Sequence, residues 1–191
     1  MNLLIVSFVT IPFFYEIVTY PETLTHLSFW TWFLHICSCW YSLFITDIDN
    51  SILLTSSVIG SQYVYFGYIF SLLVNPYLEY DLINSKRYLW KDQYLWTLFR
   101  SMYYHGIPYI FSYYYADQYE LNNTGIYVYV SILFFYLICG LLLKCFNNYM
   151  LSPYHIYITT NSNKNIVISE TGYILIQTLI LLRVIYLNLK I

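Results

Sequence analysis

Apolar residues run along this chain in long blocks, separated by short clusters rich in Asn, Asp, Lys, Ser and Pro. The blocks lack the strict alternation of a half-buried strand, and several approach the ~20 residues that a helix needs to cross about 30 Å of hydrocarbon. Helix is the expected state, because hydrocarbon offers backbone N–H and C=O groups no partners. Six segments are predicted: about 3–20, 26–46, 52–75, 94–115, 126–146 and 172–189. The first carries Pro12 and Glu16, so it either spans a bilayer or lies along its surface. The segments between helices are short apart from 76–93 and 147–171, the latter containing the polar run Thr159 to Asn165. There is no internal repeat and no interdomain linker. The predicted fold is all-α, one polytopic transmembrane helix bundle of about six helices over residues 1–191.

Composition sharpens this picture. Of 191 residues 59% are hydrophobic and 9% charged, against about a quarter charged in ordinary globular proteins. A water-soluble surface cannot be assembled from that, so the lipid bilayer is the expected surrounding. A formal net charge of −2 excludes a nucleic-acid partner, which needs a basic surface to neutralise phosphates. Tyr (25 residues), Phe (13), Ile, Leu and Asn are abundant, whereas Ala116 is the single alanine. Residues with A+T-rich codons dominate, so tyrosine abundance says little about function. Cys37 and Cys39 have the wrong spacing for a zinc knuckle. With Cys139 and Cys145 they read as small buried hydrophobes, with no metal site or disulfide framework implied. The N-terminal segment lacks a basic n-region and a small-residue cleavage site and is expected to be retained.

With six spans, the loops after the first, third and fifth helices share a side and hold Lys86, Arg87, Lys91, Lys144 and Lys164. Asp47, Asp49, Asp117 and Glu120 fall on the other side, with Lys190. The positive-inside rule puts the odd loops in the cytoplasm or matrix and both termini outside. Asn122-Asn123-Thr124, a glycosylation acceptor pattern, lies on the outer side. If the first segment only rests on the surface, the span count falls to five.

Polar groups within membrane helices require a partner or a role. Three places stand out. Ser28, Thr31 and His35, spaced by three and four, share one face of the second helix. Ser28 and His35 lie about 10 Å apart along the axis, too far to bond directly. These groups serve either as interhelical glue or, for Ser28, in chemistry with a histidine from another helix. In the fourth helix, His105 is a candidate base or metal ligand, with Pro108 close behind. The plainer alternative has Arg100 snorkelling at the interface and His105 satisfied by a tyrosine hydroxyl. In the third helix, the stretch Thr55 to Gln62 is rich in small residues and suits close helix packing.

These segments together resemble the androgen-induced-protein family of multi-spanning membrane hydrolases. His26-Leu27-Ser28-Phe29-Trp30 is similar to the family's aromatic-Leu-Thr-Phe signature, and Thr46-Asp47 closes the helix as in the family. Tyr63 to Phe66, the acidic stretch around Glu79, a histidine before Pro108, and Gly125 follow in similar order. The resemblance implies an endoplasmic-reticulum or other endomembrane location. It also implies hydrolysis of fatty acid esters of hydroxy fatty acids by a hydroxyl nucleophile and a histidine on different helices. The catalytic residues would be Ser28 and His105, with no cofactor. Three departures matter. Ser28 stands where the family has Thr. The family's histidine lies five residues before its proline, where this chain has Tyr103, so His105 requires a two-residue shift. Pro21-Glu22-Thr23 replaces the family's Gly-Gly-Lys-like segment.

In such a site Ser28 would attack an ester carbonyl and His105 would take its proton, with Thr31, Gln62 or a tyrosine hydroxyl as oxyanion donors. The main alternative is a non-catalytic hydrophobic subunit of an organellar complex in the mitochondrial inner membrane, contacting other membrane subunits. Bis-histidine haem ligation by His35 and His105 is a third reading, and a channel or transporter a weaker fourth, for want of a repeat.

Overall fold

The computed structural model describes residues 3–19, 24, 26–44, 51–74, 94–118, 121–147 and 170–188. Among them are six α-helices and no strands: α1 Leu3–Thr19, α2 Leu27–Phe44, α3 Ser51–Val74, α4 Tyr94–Gln118, α5 Asn123–Asn147 and α6 Glu170–Asn188. Each lies on one of the six apolar segments. By length and hydropathy, α3 qualifies as a candidate membrane span among the described residues. Leu3–Thr19, Asn123–Cys139 and Leu175–Asn188 are apolar but shorter. Both long connecting segments, Pro21 to Thr23, Asp47, Asp49, Glu79, Glu120, Lys190 and most of the loop cations lie outside the described residues.

Central to the fold is α3, which packs against α2, α4, α5 and α6, while α1 docks on α2. Its face from Thr55 to Gln62 is entirely buried, and small side chains there let neighbouring helices approach. A Cβ added at Gly60 would stand 2.9 Å from the Thr31 methyl of α2 and collide with the Tyr129 ring of α5. One added at Gly125 of α5 would stand 2.5 Å from the Ile52 carbonyl oxygen. At that contact Ser56 Oγ donates to the Gly125 carbonyl at 2.7 Å. Asn122 caps α5, its Oδ1 accepting from the Thr124 N–H at 2.8 Å and its Nδ2 donating to Ser51 Oγ at 3.1 Å. The glycosylation-pattern asparagine thus has a structural task at the α3–α5 junction. Consecutive helices alternate in direction. His35 of α2 meets Ser57 of α3, Tyr68 of α3 meets His105 of α4, and Gln62 of α3 meets Asn188 of α6.

The two features that made the first segment ambiguous are both answered by α4. Pro12 has no N–H, so the Phe8 carbonyl four residues earlier loses its helical donor. The Tyr103 hydroxyl supplies one at 2.8 Å. Glu16, 1% exposed, is ion-paired with Arg100. Arg100 Nε donates to the Tyr104 hydroxyl at 3.1 Å, and that hydroxyl also bonds the Glu16 carboxylate. Arg100 therefore does not snorkel: it is buried, because a carboxylate from another helix neutralises it there. An aromatic cluster closes over the pair, with Trp32 on Tyr104 (4.8 Å between ring centres) and on Phe13 (5.4 Å).

The distribution of polarity is inverted relative to a soluble protein. Glu16, Arg100, His26, His35, His105, Gln62 and Asn188 are buried, whereas Leu4, Val18, Leu73, Tyr127 and Phe134 are exposed. Cys37, Cys39 and Cys139 are free thiols, of which Cys39 is buried.

Removing one partner of a buried ion pair strands the other charge, which costs about 3–5 kcal/mol. Arg100→Met should therefore lower the unfolding temperature in detergent more than the double variant Glu16→Gln/Arg100→Met, read by thermal denaturation. Gly125→Ala should also destabilise, by ~1–3 kcal/mol for overpacking.

Candidate functional site

The polar face of α2 divides among three neighbours. Thr31 shares a hydrogen bond with the Tyr129 hydroxyl of α5 at 3.3 Å. His35 Nδ1 lies 2.8 Å from Ser57 Oγ of α3, and its Nε2 lies 3.7 Å from Cys39 Sγ one turn on. Phe111 of α4 stacks on the same ring. Both His35 nitrogens are thus engaged and the ring is enclosed. Haem ligation by His35 would require one of these contacts to be given up. Thr31 and His35 are interhelical glue.

Ser28 is different. It sits in the first turn of α2, which the His26 carbonyl initiates by accepting from the N–H groups of Phe29 (3.0 Å) and Trp30 (3.4 Å). Its side chain faces a cavity of about 330 Å³ between α2, α3, α4, α5 and α6. That volume lies in the range typical of small-molecule sites. His105 of α4 lines the same cavity, as do His26, Tyr68, Ser71 and Gln177 amid apolar groups such as Leu133 and Leu181.

The α4 register explains why His105 and not Tyr103 reaches the cavity. Tyr103 and Arg100 point towards α1, where they serve Phe8 and Glu16. Ser101 and His105 are one turn apart on another face, and Tyr68 of α3 stacks on the His105 ring with centres 4.0 Å apart. His105 Nδ1 lies 2.6 Å from the Ser101 carbonyl oxygen. A carbonyl can only accept, so Nδ1 carries the proton and the lone pair is on Nε2. The partner of His105 is therefore a backbone carbonyl and a stacked ring, not the expected tyrosine hydroxyl.

Two of the expected oxyanion donors are elsewhere. Thr31 is held by Tyr129, and the Gln62 carbonyl oxygen accepts from Asn188 Nδ2 at 2.6 Å. Neither lines the cavity. Three groups that do line it have no hydrogen-bond partner among the described residues: Ser28 Oγ, His105 Nε2 and the Gln177 amide. Ser71 is satisfied, its hydroxyl donating to the Gly67 carbonyl at 2.8 Å. Among the described residues no cluster of His, Cys, Asp and Glu could hold a metal ion.

Sequence reasoning missed His26, Tyr68 and Gln177 as cavity residues. Gln177 carried a usable signal, a lone amide within the apolar run from Ile174 to Leu182. Tyr68 carried none, being one tyrosine among many. No family model, curated protein or solved structure matches the chain.

Because His35 and Ser57 are partners, a double-mutant cycle with His35→Ala and Ser57→Ala should return a coupling of about 0.5–3 kcal/mol in unfolding free energy. The same cycle for Ser28 and His35 should return essentially none, since the two share no contact.

Proposed function

We propose that this chain is a multi-pass integral membrane protein that hydrolyses lipid esters in its interhelical cavity, with Ser28 as nucleophile and His105 as general base. The observation that carries the reading is the convergence of a hydroxyl without a hydrogen-bond partner among the described residues and an imidazole lone pair on one largely apolar cavity, from two helices separated by 77 residues of sequence.

The membrane part rests on the inverted polarity. Large exposed apolar patches on a protein surface signal an apolar surrounding. Here every helix presents such side chains outward, while inside Glu16 pairs with Arg100 and Gln62 with Asn188. Lipid tails satisfy the outer faces, and the bundle retains its polar groups because each exposed to lipid would cost several kcal/mol.

The chemical part follows from the cavity. Its walls suit hydrocarbon, and its polar atoms suit an ester carbonyl. Ser28 Oγ attacks the carbonyl carbon as His105 Nε2 takes the hydroxyl proton. The tetrahedral intermediate collapses, breaking the bond to the alcohol oxygen, which leaves with the proton from Nε2. Water then attacks the acyl-serine ester, giving its proton to Nε2, and the free acid departs as Ser28 is restored. The Ser101 carbonyl holds Nδ1–H throughout and steadies the cation that forms on the ring. Attack needs Oγ within about 3 Å of Nε2, a contact that often tightens only when substrate is bound. The androgen-induced-protein resemblance supports the same two residues, with Ser in place of Thr, and an endomembrane location.

Protein in detergent micelles should react with a fluorophosphonate probe, and Ser28→Ala should abolish the labelling. His105→Ala should slow it about 10²-fold or more, within the range of general-base contributions. Labelling that persists in Ser28→Ala would remove Ser28 from the mechanism. The chain should also stay with membranes after alkaline carbonate washing; release into the supernatant would overturn the integral-membrane reading.

A further inference from the structure

The mechanism leaves one requirement unassigned. Attack on an ester places negative charge on the carbonyl oxygen, and a site walled by hydrocarbon must supply a hydrogen-bond donor there. The cavity's histidines and serines do not all qualify. His105 Nδ1–H is directed to the Ser101 carbonyl and Ser71 Oγ–H to the Gly67 carbonyl.

Gln177 remains. It lines the cavity from α6, and its amide lies directly over Gly67 of α3. A Cβ at Gly67 would stand 3.1 Å from Gln177 Oε1 and 3.7 Å from Nε2. The glycine therefore makes the space that the amide occupies. Just one turn along α3, Ser71 binds the Gly67 carbonyl and so withholds that acceptor from the glutamine. The amide has no hydrogen-bond partner among the described residues. Elsewhere in the bundle an interior amide is satisfied: Gln62 is bound to Asn188. An amide kept without a partner in an apolar wall costs free energy, and that cost is offset only when something in the cavity bonds it.

We infer that Gln177 is a catalytic residue of the ester hydrolysis proposed above, its amide N–H donating to the ester carbonyl oxygen and to the oxyanion formed from it. The inference rests on that reading of Ser28 and His105. Ser28 adds to the same field: in the first turn of α2 it lies at the positive end of the helix dipole. The substrate class follows from the geometry. A neutral carbonyl ester with hydrocarbon on both sides fits a cavity whose polar groups are hydroxyls, imidazoles and an amide, with no lysine or arginine among its described lining residues to recognise a phosphate or free carboxylate headgroup.

The test is steady-state hydrolysis of 4-methylumbelliferyl octanoate by the full chain in detergent. Gln177→Leu should lower kcat about 10²-fold, the usual effect of losing one oxyanion donor, and leave KM within about threefold. Gln177→Glu, which keeps the length and polarity but puts acceptors in place of the donor, should be equally impaired. Gly67→Ala, which crowds the amide, should show a smaller loss in kcat. A structural role would instead lower the unfolding temperature and affect fluorophosphonate binding and KM alike. If Ser28→Ala is inactive while Gln177→Leu and Gln177→Glu retain a third or more of wild-type kcat, Gln177 is not the donor and the Ser28–His105 reading stands. If Ser28→Ala hydrolyses the ester as fast as wild type, or if wild type does not hydrolyse it at all, both assignments fall together.

Discussion

The small-residue face of α3 is the constraint on which the rest of the bundle depends. From Thr55 to Gln62 it carries hydroxyls, a glycine and an amide in place of bulk. Thr31 and Tyr129 come into contact over Gly60, and Gly125 settles against Ile52 and Thr55. Three hydroxyls of this face bond to other helices or to their caps: Ser56 to the Gly125 carbonyl, Ser57 to His35, and Thr55 to the Asn122 N–H. Close approach and polar satisfaction reinforce one another here, since a hydrogen bond between helices needs their backbones near together.

Further along α3 the side chains become large. Tyr63, Tyr65, Phe66 and Tyr68 replace the serines, and neighbouring helices stand off at ring thickness, as Tyr65 on Tyr109 and Tyr68 on His105 illustrate. The cavity opens in this half, where α2 begins and α3 approaches its end. Gly67 is the exception within the aromatic stretch, and the space it leaves is taken by the Gln177 amide. The site is thus a consequence of a change in side-chain size along one helix. The α1–α4 ion pair lies towards the same end but on the far side of α4, where it fixes that helix's rotation: Arg100 and Tyr103 are committed to α1, which leaves His105 for the cavity.

Much of this was legible locally. Hydropathy located the six helices to within a few residues, because burial in hydrocarbon or in a helical core depends on composition over one window. The pattern of small residues identified the close-packed face of α3, and the spacing of Ser28, Thr31 and His35 identified the buried face of α2. The snorkelling alternative for Arg100 arose because an isolated arginine near a helix end normally reaches for the interface. Its partner, Glu16, is 84 residues away.

The sequence by itself determined the helical segments, their apolar outer faces and the polar residues that had to be accounted for within them. Only the tertiary structure decided which polar residues meet. It paired Glu16 with Arg100 and His35 with Ser57, gave the Phe8 carbonyl freed by Pro12 to Tyr103, and left Ser28, His105 and Gln177 facing one cavity. The physical reason is that apolar burial is nearly indifferent to partner, whereas a hydrogen bond or ion pair depends on distances of a few tenths of an ångström. Those distances are set by the relative rotation of helices far apart in the chain, which no local pattern of residues specifies.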